Sequence, residues 1–168
     1  IIVLTDFNKT LTLPTSSTSF STIRKTGLLP DEYKVKAEEL YDEYRPYELG
    51  EKGESDEECR AKLKEWWKKH FDLIIESGMD KKVIKDIIEK RKLTFREGSS
   101  EFLKTLYEKE IPLIIMSASV GDMIEGYLKS EKILYDNIHL VSNLFKFNKE
   151  EKVIGVRKPI IHSLNKHE

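Results

Sequence analysis

A chain of 168 residues is long enough for one domain, or one domain carrying a small insertion, around a real core. With 39% hydrophobic and 35% charged residues it reads as a soluble globular protein, and a net charge of -1 excludes a field that gathers nucleic acid polymers or an anionic membrane surface. The single cysteine, Cys59, excludes an internal disulfide and a thiolate metal cage, and points to a reducing compartment, the cytoplasm.

The chain opens on Ile1-Ile2-Val3-Leu4, without an initiator methionine, which implies residues ahead of it. Residues 1–5 are a short apolar run rich in β-branched side chains, the pattern of a buried parallel strand, and it stops abruptly at Asp6. The Ser- and Thr-rich stretch from Thr15 to Thr22 reads as a loop. A helical pattern then runs from Pro30 to Lys92. Tyr33, Ala37, Leu40, Tyr41 and Tyr44 share one face of a first helix, which Pro46 and Gly50 end. Ser55-Asp56-Glu57-Glu58 is a capping box that opens a second helix, whose stripe is Cys59, Leu63, Trp66, Trp67, Phe71, Ile74 and Ile75. A third starts at Asp80 and presents Val83, Ile84, Ile87 and Ile88. Lysines and glutamates interleaved along these helices read as solvated faces.

After that the period changes. Phe102, Leu103, Leu106 and Tyr107 form a helix face, residues 112–116 a buried strand, Met123, Ile124, Tyr127 and Leu128 another helix, and residues 138–141 another strand. Strand, helix and strand at this spacing make a parallel, right-handed βαβ unit. Residues 145–147 and 153–156 flank Lys149-Glu150-Glu151 as a short hairpin. No apolar run approaches the roughly 20 residues of a membrane span. The fold class expected is therefore α/β: a Rossmann-like parallel sheet built from residues 1–17 and 94–168, with residues 18–93 inserted as a helical cap. Ligands of such sheets sit beyond the carboxyl ends of the strands, where Asp6 and Ser117 each follow a strand by one residue.

A carboxylate at that edge can attack phosphorus when a divalent cation screens the repulsion between anions, and magnesium suits the task because it takes oxygen ligands and retains several waters. The bland alternatives are that Asp6 is an ordinary strand-end acid, that Ser117 caps the next helix, that Glu48 is an exposed helix-end residue, and that Lys166, near the C-terminus, is solvated. His70, on a helix near apolar neighbours, reads as a packed histidine. The adjacent Trp66 and Trp67 point differently, one into the core and one toward a cleft.

Asp6-Phe7-Asn8-Lys9-Thr10 resembles the first motif of the haloacid-dehalogenase superfamily, Asp-x-Asp-x-Thr, and Ile114-Ile115-Met116-Ser117-Ala118 resembles its second. More narrowly, Thr5-Asp6-Phe7, Glu65-Trp66-Trp67, Ser117-Ala118-Ser119-Val120-Gly121-Asp122, Val141-Ser142-Asn143, Ile161-His162 and Asn165-Lys166-His167 resemble the cytosolic pyrimidine 5′-nucleotidase family, in order and across essentially the whole chain. The resemblance implies a magnesium-dependent phosphatase acting on pyrimidine nucleoside 5′-monophosphates, or in some members on 7-methylguanosine monophosphate. In it Asp6 is the nucleophile, Thr10 steadies the motif loop, and Ser117 with the backbone of Ala118 binds phosphate. Lys166 holds nucleophile and phosphate together, and Glu48 contacts the base. Magnesium is held by Asp6 and the main-chain carbonyl of Asn8, and the partner is a nucleoside monophosphate rather than nucleic acid or membrane.

Three departures qualify that expectation. Asn8 stands where the family has an aspartate that moves a proton, so turnover is expected to be impaired. The family's fourth motif, a Gly-Asp-Ser segment downstream of Lys166, is absent, which implies a C-terminally incomplete piece whose first strand is an exposed edge. Ser119 stands where a glycine is usual. Besides an impaired nucleotidase, the sequence therefore admits a non-catalytic nucleotide-binding module of the same fold, and nothing in it favours a plain scaffold for protein partners. Oligomeric state and base preference have no sequence signal.

Overall fold

The computed structural model describes residues 1–90, 93–163 and 165–166. Lys92 and His167, which fall within expected segments, lie outside the described residues. Strands β1 (Val3–Thr5), β2 (Leu113–Val120) and β3 (Ile138–Asn143) form a parallel sheet in the order β1-β2-β3. Val3 pairs with Leu113, and Leu113 in turn with Ile138, so the three strands run in step toward one carboxyl edge. Helix α5 (Ser99–Glu108) precedes β2, and α6 (Gly121–Ser130) carries the crossover from β2 to the parallel β3, the expected βαβ connection. Strands β4 (Phe145–Phe147) and β5 (Val153–Val156) form the expected antiparallel hairpin. Among the described residues β1 is an edge strand, and Leu4 is 62% exposed.

The inserted helices are α1 (Ser19–Lys25), α2 (Asp31–Glu48), α3 (Asp56–Glu76) and α4 (Lys81–Lys90). Ser55 caps α3 as expected: its hydroxyl accepts the Glu58 N–H at 3.2 Å, while the Glu58 carboxylate takes the N–H of Glu54 at 2.8 Å. Asp80 caps α4 by accepting the Val83 N–H at 2.7 Å. Three expectations require correction. Ser19–Lys25 is a helix rather than a loop, because Thr18 caps it and its apolar Ile23 is buried by tertiary packing. Helix α2 continues past Pro46 to Glu48, and the Pro46 carbonyl accepts the Glu51 N–H at 2.8 Å as the chain turns away. Strand β2 does not stop at Met116 but runs to Val120, so Ser117 lies within it.

Two buried clusters hold the fold. One, under the sheet, gathers Phe7, Leu103, Leu106, Leu113, Ile115 and Leu128. The other joins Ile23, Tyr33, Phe71 and Ile87 of the inserted helices to Met123, Tyr127, Phe145 and Val153. Burying a side chain such as Ile74, 0% exposed, contributes about 1.5–3 kcal/mol. Helix α6 sits between the clusters, with Met123 and Tyr127 facing one and Ile124 and Leu128 the other. Its Gly126 permits close approach to α4, since a Cβ there would meet Ile88 Cδ1 at 2.2 Å. Among the described residues no helix is long and apolar enough to cross a membrane.

Candidate active site

The loop after β1 is built around Phe7. Its ring is 1% exposed and packs edge-on against Phe95 with centroids 5.9 Å apart. Its carbonyl accepts the N–H groups of Leu11 at 3.1 Å and Thr12 at 3.3 Å, which curls the chain back and leaves Asp6 at the mouth of the sheet. Lys9 takes the left-handed region at φ 61°, and its N–H is held by Thr12 Oγ1 at 2.8 Å. From across the fold the Arg96 guanidinium donates to the Lys9 carbonyl at 2.7 Å and the Thr10 carbonyl at 2.9 Å. Thr12 and Arg96 thus steady this loop, and exposed Thr10 contributes its carbonyl rather than a described hydroxyl bond.

Opposite it, β2 loses register with β3. Met116 pairs with Val141, but the next pair is Val120 with Asn143, so the stretch Ser117-Ala118-Ser119 bulges out of the ladder. Ser117 does not cap α6; its Oγ, fully buried, accepts the Ser119 N–H at 3.3 Å. Asn8 Nδ2 donates to Ser119 Oγ, which ties the two motif loops together. Asn143, 1% exposed, fixes the bulge to the C-terminal segment. Its amide donates to the carbonyls of Ala118 and Ile161, and its oxygen accepts the Ile161 N–H, all at 2.8 Å. Asn165 closes the following turn by accepting the His162 N–H at 2.8 Å and donating to the Ile160 carbonyl at 2.9 Å. That turn delivers Lys166, whose Nζ pairs with Asp6 Oδ2, while Asp6 Oδ1 accepts the Phe7 N–H at 2.6 Å.

The Asn143 array supports a stability prediction. Asn143→Leu would strand two carbonyls and one N–H in a poorly hydrated place, and is expected to cost about 2–3 kcal/mol. Urea unfolding reads this directly; a loss below about 0.5 kcal/mol would mean that water replaces the amide without penalty.

Asp6, Asn8, Ser117, Ala118, Lys166 and Glu48 all line one cavity of about 510 Å³, a size suited to a small-molecule ligand. These six residues singled out from sequence therefore converge, whereas Thr10 does not line the cavity. Glu48 is not a free helix-end acid, for it pairs with Arg45 one turn earlier. Trp67 packs against the buried cluster, as expected of one of the pair, but both Trp66 and Trp67 also line the cavity. Adjacent helix positions differ by about 100°, and a wide cleft reaches both. The lining carries Lys9, Arg24, Lys25, Arg45 and Lys166 against only Asp6 and Glu48, a balance that favours an anionic ligand. Arg24 and Phe20 of α1 were missed from sequence because the helix bearing them reads as a polar loop.

His70 is 7% exposed and lies against the Phe20 ring with centroids 4.6 Å apart, so it is the packed histidine expected, although it also borders the cavity. Burial, and secondarily the charge of Arg24, push its imidazole from 6.5 down to about 4. Because the unfolded chain then binds a proton that the native state refuses, stability falls as pH drops from about 6.5 to about 4 and levels off below. The loss attributable to this residue is about 3 kcal/mol at most. Urea midpoints of the protein and of His70→Leu across that window check it; equal acid sensitivity in the two would contradict it.

Among the described residues no three His, Cys, Asp or Glu side chains cluster as a metal cage. The donors beside Lys166 are the Asp6 carboxylate and the oxygens of Asn8, a set that fits magnesium only when the ion completes its shell with ligand oxygens and water.

A family model described as pyrimidine 5'-nucleotidase (UMPH-1) matches residues 5–168. The chain is 31% identical to 7-methylguanosine phosphate-specific 5'-nucleotidase A of Xenopus laevis, across 98% of its own length and 58% of the relative's. It is 29% identical to the Homo sapiens 7-methylguanosine phosphate-specific 5'-nucleotidase, across 98% and 56%. The crystal structure of cytosolic 5'-nucleotidase IIIB bound to cytidine superposes with a TM-score of 0.81 at 26% identity, covering 98% of this chain and 55% of that one. A HAD family hydrolase from Salmonella enterica shares the fold at a TM-score of 0.61 and 14% identity. The chain spans little more than half the length of the curated relatives it matches.

Proposed function

Because the chain belongs to the pyrimidine 5'-nucleotidase family, on the haloacid-dehalogenase fold, we propose that it binds nucleoside 5′-monophosphates and hydrolyses them to nucleoside and phosphate, slowly as its sequence stands. The observation that carries this reading is that Asp6, paired with Lys166, and Ser117 line one cavity together with aromatic side chains and Glu48. Phosphate fits beside Lys166 and Ser117, and a base fits against the rings.

In the proposed reaction a carboxylate oxygen of Asp6 bonds to phosphorus as the bond from phosphorus to the nucleoside oxygen breaks. Water then cleaves the aspartyl-phosphate, releasing phosphate and restoring Asp6. Lys166 offsets charge on Asp6 and on the phosphoryl oxygens, and Ser117 with the Ala118 backbone orients them. The departing oxygen needs a proton and the attacking water must lose one. Asn8 can hydrogen-bond to either but exchanges no proton, which is why turnover is slow. Magnesium, held by Asp6 and the Asn8 carbonyl together with the phosphate, would supply charge neutralisation. A cytoplasmic location fits both the lone Cys59 and the cytosolic relative. The division into a core of residues 1–17 and 94–168 and a cap of residues 18–93 belongs to this proposal.

Asn8 also favours a second reading, a nucleotide-binding module without turnover. Calorimetric titration with cytidine and uridine monophosphates, paired with phosphate release with and without magnesium, separates the two. Binding with magnesium-dependent release, abolished in Asp6→Asn, is the result expected. Binding without release in either the protein or Asn8→Asp would select the module, and no binding at all would remove both.

A further inference from the structure

N7-methylation gives guanine a net positive charge for as long as N1 keeps its proton, so charge is one property by which this cavity could sort bases. Arg24 of α1 bears on it. Its guanidinium carbon stands 4.0 Å over the ring centroid of Tyr41, and both residues line the cavity within an aromatic group that includes Trp66, 6.2 Å from Tyr41. The electron-rich face of Tyr41, which would attract a cationic base, already holds a cation. The other rings there are engaged with one another: Phe20 packs edge-on against Trp67 at 5.0 Å, and Trp66 stacks on Tyr44 at 6.2 Å.

Among the described residues, neither carboxylate lining the cavity is left to offset Arg24: Asp6 is paired with Lys166 and Glu48 with Arg45. His70, the neighbouring titratable group, is neutral, and the charge of Arg24 helps keep it so. A second positive charge brought among these rings would be repelled in a partly water-excluded space, where such repulsion is much stronger than in water.

Resting on the nucleotide reading above, we propose that this aromatic group selects an uncharged nucleobase and rejects the N7-methylguanine cation, with Arg24 as the specificity-determining residue. The neutral bases of cytidine, uridine and guanosine monophosphates are admitted by charge, and size then sorts among them.

The test needs no turnover. Dissociation constants for guanosine monophosphate, 7-methylguanosine monophosphate and cytidine monophosphate are measured by calorimetry in mildly acidic buffer, where the methylated ring keeps its N1 proton and stays cationic. Guanosine monophosphate and its methylated form differ by one methyl group and one charge, so their ratio carries both contributions and its change across the Arg24 variants isolates the charge. The protein is expected to bind the unmethylated nucleotide about tenfold more tightly. Arg24→Lys should keep that preference, Arg24→Gln should erase it, and Arg24→Glu should reverse it, with thermal melts confirming that each variant is folded. Equal binding of the two guanosine nucleotides by the protein, or a ratio unmoved in Arg24→Glu, would overturn the assignment while leaving nucleotide binding intact. Failure of all three nucleotides to bind any folded form would instead overturn the nucleotide reading, and this inference with it.

Discussion

Asn8→Asp is expected to raise phosphate release from cytidine monophosphate by about 10²–10⁴-fold, the range that a positioned acid–base group contributes. The geometry is already suited to the exchange. Asn8 lines the same cavity as Asp6 and donates its amide to Ser119 Oγ, a hydroxyl that can rotate and donate in turn to a carboxylate. Little else needs to move, so the substitution should leave stability nearly unchanged. The gain should appear in kcat, because the missing function is proton transfer in the transition state rather than grip on the substrate. A pH profile sharpens the test: Asn8→Asp should acquire a limb that the parent lacks. If Asn8→Asp binds nucleotide and folds normally yet releases phosphate no faster than the parent, position 8 is not the missing proton shuttle.

Removing the cation beside the nucleophile should have the next largest effect. In the Asn8→Asp background, Lys166→Met is expected to lower kcat by about 10²–10³-fold, as loss of one preorganised charge in an active site typically does. Lys166 Nζ pairs with Asp6 Oδ2, and the two side chains are 26% and 36% exposed, so the pair is only partly screened by water. In a phosphate complex the same ammonium would face two anions, which methionine, similar in length, cannot neutralise. An arginine in its place would keep the charge but present a planar fork to a site built for a point charge, so Lys166→Arg should recover only part of the rate. A kcat for Lys166→Met within about threefold of its parent would show that the ion pair is incidental to the chemistry.

How far the sequence carried the argument differs from element to element. The cap of α3 was legible because Ser55 and Glu58 act within a single turn, and strands β1 and β3 were legible from their apolar runs. Asp6 and Ser117 were legible through strand ends and motif resemblance, although Ser117 proved to sit in a bulge inside β2 rather than after it. Helix α1 was not legible, since its Ser and Thr residues carry a loop signal that only burial of Ile23 outweighs. Arg96 gave no sign of its part in the loop after β1, because the bond from its guanidinium to the Lys9 carbonyl spans 87 residues.

From the chain alone came the α/β class, the carboxylate at the strand edge, the family to which its motifs are similar, and the asparagine at position 8. These are written in short-range patterns: apolar periodicity, caps, and residue types at fixed spacing. Tertiary structure alone decided that Asn143 braces the bulge of β2, that His70 is neutral beside Phe20, and that Arg24 covers the face of Tyr41. Each of these depends on which distant surfaces are pressed together and on how much water is left between them, and no local pattern encodes either quantity.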